Sequence, residues 1–100
     1  MEDKELEIIN HYGILKQLKY FQSEVFELNE AVINAEIFSK IYGEMEEYDI
    51  KHIAEEIADV MVMLKQFQLY YKIPYDNIKE IAEYKIDRQI ERMKKENESI

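Results

Sequence analysis

Only three residues in this chain of 100 can readily stop a helix: Gly13, Gly43 and Pro74. In a helix interior, glycine is about 1 kcal/mol and proline about 3 kcal/mol less favourable than alanine. With breakers so sparse, the segments between them can run as uninterrupted helices, and the spacing predicts an all-α fold. The expected layout is a short helix over 3–11, a break at Gly13, a long helix over 14–39 and a loop over 40–49. That loop holds Gly43 and the acids Glu44, Glu46, Glu47 and Asp49. Asp49 can N-cap a further helix reaching about Tyr71. Ile73-Pro74 ends it, because the residue before a proline avoids helical backbone. Asp76 can cap a last helix, and the polar tail over 94–100 is expected to fray. The chain reads as one domain, a compact four- to five-helix bundle with an N-terminal segment over 1–12.

The apolar residues give each helix a stripe. Ile14, Leu18, Phe21, Val25, Leu28 and Val32 form the first, and Ile53, Ile57, Val60, Leu64 and Phe67 the second. Ile78, Ile81, Ala82, Ile86, Ile90 and Met93 form the third. Leu15, Phe26, Ile33 and Ile37 lie roughly opposite the first stripe. A helix apolar on two sides needs two packing partners. Either residues 3–11 fold back over that side or a second subunit covers it, and a homodimer or homotetramer is expected.

The formal charge is −9, with −8 in residues 1–50 and −1 in 51–100. Such acidity argues against nucleic acid as a partner, since phosphate backbones need a basic footprint. No cysteine is present, which excludes disulfides and thiolate metal sites and fits a reducing, cytoplasmic setting. Lys65 interrupts the richest apolar run, so no membrane span is expected. The start Met-Glu-Asp-Lys-Glu is too acidic for a signal peptide.

Two acidic steps have a claim to chemistry: Glu24-Val25-Phe26-Glu27 and Glu56-Ile57-Ala58-Asp59. Seven acidic pairs at i,i+3 occur in the chain, and chance alone gives about five at this composition, so spacing by itself is a weak signal. Position adds to it. With Glu24 at zero on a helical wheel, Glu27 falls near 300° and Phe21, Val25, Leu28 and Val32 fall at roughly 40–100°. The same holds from Glu56, with Asp59 near 300° and Ile53, Ile57, Val60 and Leu64 at roughly 40–100°. Each pair thus flanks its apolar stripe. None of the four acids has a lysine or arginine at i±3 or i±4. Four clustered carboxylates without cations repel one another, and a hard divalent ion relieves that repulsion. Oxygen-only ligands suit Mg²⁺ or Mn²⁺. The alternative is an ordinary acidic rim.

These residues resemble the MazG-like all-α nucleoside triphosphate pyrophosphatases, whose signature is ExxE on one helix and ExxD on a later one. His11-Tyr12-Gly13 followed by Gln17 looks like the family's lead into its first motif, and Glu55-Glu56-Ile57-Ala58-Asp59-Val60 looks like its second. Tyr84-Lys85-Ile86-Asp87-Arg88 with Arg92 is similar to the basic helix that follows. The likeness covers about residues 11–93. One departure is Ser23, where many members carry a further glutamate.

The resemblance implies a Mg²⁺-dependent enzyme that splits a nucleoside triphosphate into monophosphate and pyrophosphate. Glu24, Glu27, Glu56 and Asp59 would hold the metal, and one of them or Glu55 would accept a proton from the attacking water. Lys85, Arg88 and Arg92 share one face and could bind phosphates, or could pair with Asp87, Glu91 and Glu96 on a solvated helix. Gln17 could hydrogen-bond a base or sugar and Tyr20 could stack on it; either could equally be a core-edge residue. His52, four residues before Glu56, could support it or be idle. Met61 and Met63 read as core filler. No Walker, GxSxG or Rossmann pattern is present, and no HExxH or ExxH spacing. Two other classes remain open: a non-catalytic acidic interaction protein, and a nucleotide-binding regulator that turns over poorly.

Overall fold

A computed structural model describes residues 3–98, and every element among them is an α-helix. These are α1 (Lys4–Tyr12), α2 (Ile14–Tyr42), α3 (Glu47–Tyr70) and α4 (Tyr75–Glu98). The chain comprises two units, Met1–Tyr70 and Tyr71–Ile100.

The breakers set the boundaries. Gly13 has φ 91° and ψ 153°, a conformation that only glycine adopts without strain. Its N–H closes α1 on the Ile9 carbonyl at 2.7 Å, and its own carbonyl accepts from Gln17 N at 3.1 Å to open α2. α2 continues past the expected end at 39 to Tyr42, because nothing before Gly43 opposes it. Gly43 then takes the left-handed conformation, φ 92°, and donates to the Ser39 carbonyl at 2.8 Å.

The acidic loop is therefore shorter than expected, and α3 starts at Glu47. Asp49 lies inside the first turn instead of preceding it. Its Oδ2 accepts from the backbone N–H of Glu46 at 3.2 Å, the backward arm of a capping box. Asp76 likewise falls within the first turn of α4, after Pro74, whose carbonyl accepts from Asn77 N at 3.1 Å. α4 stays helical to Glu98, so residues 94–98 are ordered helix, not a frayed end. The last two residues of the expected tail lie outside the described ones.

In the first unit α3 packs against both α1 and α2. α2 and α3 run antiparallel: Gln17 meets Gln66 at 2.8 Å, and the Phe21 and Phe67 rings meet edge to face at 5.2 Å. The buried apolar residues among those described are Ile9, Ala31, Ala35 and Met63. The packed face of α2 is Gln17, Glu24, Ala31 and Ala35, which lie within about 20° of one line on the helix. This corrects the expected stripe: Phe21, Val25 and Leu28 are half-buried, while Leu18 and Val32 are exposed. Small side chains let two helix backbones approach closely, and Ala31 and Ala35 mark where α2 is buried. α1 leaves Leu15, Phe26, Ile33 and Ile37 exposed. α4, in the second unit, has no buried residue.

Candidate functional site

The α2–α3 face that holds the alanines also carries the acids. Glu24 on α2 and Glu56 on α3 are 5% and 9% exposed, although each is a carboxylate on a chain of net charge −9. Their neighbours in sequence, Glu27 and Asp59, are exposed. Each acidic step is thus split, its first member turned into the packed face and its second toward water. A three-residue advance rotates a helix by about 300°, enough to separate the pair across the edge of a contact.

Glu24, Glu27 and Glu56 each offer a carboxylate oxygen, and the three oxygens lie within 4.8 Å of one another. Asp59 stands outside this trio but lines the adjoining cleft together with Glu24. Glu55 is exposed and only adds to the charge felt by Glu56. One oxygen of Glu24 and one of Glu56, Oε2 in each case, is buried with no hydrogen-bond partner. Buried polar atoms are almost always paired, so the two orphaned carboxylate oxygens leave a place for a water or an ion.

The electrostatics express the same conflict. Burial pushes the Glu24 carboxyl above its ordinary range; a hydrogen bond from Tyr20 acts the other way, and Glu27, Asp59 and Glu56 push it further up. Burial likewise raises Glu56, with Glu27 and Asp59 adding to the rise. His52 opposes it, with Nε2 4.0 Å from Glu56 Oε1. His52 also lies parallel to the Tyr48 ring, centres 6.2 Å apart. The Tyr20 hydroxyl is itself raised, first by its hydrogen bond to Glu24 and then by that carboxylate's charge.

A cleft of about 690 Å³ opens beside the cluster, within the first unit. It runs from Glu24 and Asp59 along α2 and α3 to Ile8 and Tyr12 on α1. Gln17 and Tyr20, picked out in the sequence, both line it, and so does Ser23. The sequence assigns no role to three polar lining residues: Lys16, Lys19 and Gln66. Lys16 sits four residues before Tyr20, on the same side of α2, a signal available in the sequence. Gln66 becomes visible only once α2 and α3 are paired. Met63 is core, as read, whereas Met61 is 63% exposed.

Lys85, Arg88 and Arg92 belong to the second unit and are exposed on α4. Arg88 lies over the Tyr84 ring at 5.8 Å, and Glu91 pairs with Lys94 at 3.7 Å. Within the first unit, the cations that line the cleft are Lys16 and Lys19.

Set against known proteins, the chain matches no family model, no curated protein and no solved structure. The functional reading therefore rests on the chemistry of the site. No helix among the described residues is long and apolar enough to cross a membrane.

Proposed function

We propose that this chain is a MazG-like nucleotide pyrophosphohydrolase that uses Mg²⁺, with Mn²⁺ as a substitute, to hydrolyse a nucleoside triphosphate to its monophosphate and pyrophosphate. It works as a homodimer or homotetramer in the cytoplasm, clearing unwanted nucleotides or setting the size of a nucleotide pool. The observation that carries the reading is the pair of orphaned, buried oxygens on Glu24 and Glu56 within a three-carboxylate cluster that adjoins a cleft.

That donor set fits a hard cation. All the candidate ligands are carboxylate oxygens, and a divalent ion offsets both the burial and the mutual repulsion that raise Glu24 and Glu56. Glu24, Glu27 and Glu56 would hold it, with Asp59 on the open side. A bound Mg²⁺ supplies charge neutralisation for a triphosphate and acidifies a water.

The chain's own side chains divide the remaining work. The Tyr20 hydroxyl favours the charged form of Glu24. Asp59 and Glu55, both exposed, are free to accept a proton from the attacking water. Lys16 and Lys19 supply positive charge at the cleft, where phosphate oxygens need it. Tyr12 and Tyr20 offer ring faces for a base.

The test is product analysis on a panel of ribo- and deoxyribonucleoside triphosphates, with Mg²⁺ and with EDTA. Monophosphate and pyrophosphate are expected, and EDTA should abolish them. Diphosphate plus phosphate would keep a metal hydrolase and overturn the pyrophosphohydrolase. No turnover on any substrate would overturn the enzyme and leave a nucleotide-binding regulator or an acidic interaction protein.

A further inference from the structure

α4 is a helix of 24 residues, and its unit holds no other helix among the described residues. A lone helix cannot bury its own apolar stripe. Ile78, Ile86, Ile90 and Met93 are all exposed. The charges beside this stripe are sorted by sign. With Ile78 at zero on a helical wheel, Ala82, Ile86, Ile90 and Met93 fall at roughly 40–120°. The acids of residues 76–93 are Asp76, Glu80, Glu83, Asp87 and Glu91, and all fall at roughly 140–220°. Lys85, Arg88 and Arg92 fall on the other side, at roughly 280–340°. Lys79, near the stripe, and Ile81, among the bases, depart from the sorting. One edge of the stripe is therefore acidic and the other basic. An isolated helix is weakened by such sorting. Glu83, Asp87 and Glu91 follow one another at i,i+4, as do Arg88 and Arg92, and like charges at that spacing repel.

We infer that α4 is a pairing surface whose partner is α4 of a second copy, lying parallel to it. The inference rests on the reading of the chain as a homo-oligomer and names one place where copies meet, with their orientation. When two identical helices face each other in parallel, opposite edges of their stripes come together; in an antiparallel pair, like edges do. The parallel pair runs the line of Glu83 and Asp87 along the partner's Lys85 and Arg92, on both sides of the contact. The antiparallel pair would set acids against acids and bases against bases. A partner of one sign answers one edge and repels the other, whereas a second α4 answers both. Gln89, at roughly 20° on the same wheel, interrupts the stripe. In a parallel pair in register it meets its own counterpart, and two amides can pair donor to acceptor. The stripe is short, so this contact holds copies together in concert with another and not alone.

The chain has no cysteine, so single cysteines report the contact cleanly. Ile78→Cys and Met93→Cys lie near opposite ends of the stripe, roughly 22 Å apart along the helix, and Glu80→Cys lies away from it. Mild oxidation at tens of micromolar should link most of Ile78→Cys and most of Met93→Cys into disulfide dimers, and little of Glu80→Cys. In the Met93→Cys background, Lys85→Glu with Arg92→Glu should lower the linking rate by about tenfold. Mixing that variant with one carrying Met93→Cys, Glu83→Lys and Asp87→Lys should restore the rate. Linking only in a mixture of Ile78→Cys with Met93→Cys means an antiparallel pair and overturns the assignment. So does a loss in the charge variant that mixing does not restore. No linking at either end, with light scattering still giving two or four chains, overturns the α4 contact and keeps the oligomer. A wild type that is a monomer at every concentration removes both.

Discussion

Glu56 concentrates the tension in this molecule: a carboxylate in the packed face of α3, with one oxygen that no protein group meets. Its carboxyl and that of Glu24 are raised above the ordinary 4.5, so the folded chain holds protons there that the unfolded chain has released. Between the ordinary and the raised value, ΔG of unfolding therefore falls as pH rises. The metal-free protein should gain melting temperature as pH is lowered from neutral toward about 5. A melting temperature that instead drops over that interval would show that these acids are not strained. Glu56→Gln removes the charge and keeps the shape. It should raise the metal-free melting temperature at neutral pH, flatten the pH response, weaken stabilisation by Mg²⁺, and lower turnover by about a hundredfold. Melts with and without Mg²⁺ check the first three effects and a rate assay the fourth; a variant of unchanged activity would remove Glu56 from the site. Both acidic steps were legible in the sequence, because none of their members has a basic neighbour. The division within each step was not. A wheel centred on apolar residues places both members at the flank, whereas Ala31 and Ala35 turn the helix so that Glu24 faces α3.

Among the elements, the glycines and the proline decide where helices stop, and the acids decide how one of them starts. The cluster Glu44, Glu46, Glu47 and Asp49 looks like loop by its polarity. Acids near a helix N-terminus are nevertheless favoured by its dipole, and Glu47 and Asp49 fall in the first turn of α3. Polarity alone cannot distinguish a loop from a well-capped first turn, which is why the predicted loop is too long. Asp49 accepts the otherwise unpaired N–H of Glu46, so Asp49→Ala should destabilise the first unit by about 1 kcal/mol. In a unit of this size that corresponds to a drop of roughly 4–8 °C in melting temperature. Asp49→Asn, which keeps an acceptor, should recover most of it. Equal losses in both variants would mean that charge near the helix start, not the hydrogen bond, is what matters. The end of α4 went astray for a related reason. Lys94 and Lys95 look like a frayed polar tail, yet basic residues in a last turn complement the helix dipole, and Lys94 reaches Glu91 one turn back.

At the scale of the molecule, α2 is apolar on two sides, and within the first unit neither α1 nor α3 covers the second side. Leu15, Phe26, Ile33 and Ile37 are 74%, 60%, 55% and 52% exposed. α1, the segment that could have folded back over them, packs mainly on α3. Isolated exposed apolar residues are common on any surface, but four along one helix form a patch of the kind that marks an interface. A closed two-fold pairing through α2 would bury the same residues on both copies, and each copy would supply the other's missing partner. Light scattering after size exclusion should therefore give a mass of two or four chains at tens of micromolar. Phe26→Lys combined with Ile33→Lys places like charges face to face across that contact and should yield a monomer with a lower melting temperature. Neither residue lines the cleft, so the outcome also tells whether the site is complete within one chain. A folded monomer that keeps Mg²⁺-dependent stabilisation places all the metal ligands on α2 and α3 of a single copy. Loss of that stabilisation on dissociation means that a neighbouring copy finishes the site. A wild type that runs as a monomer at every concentration would remove the oligomer and leave the patch to a different partner.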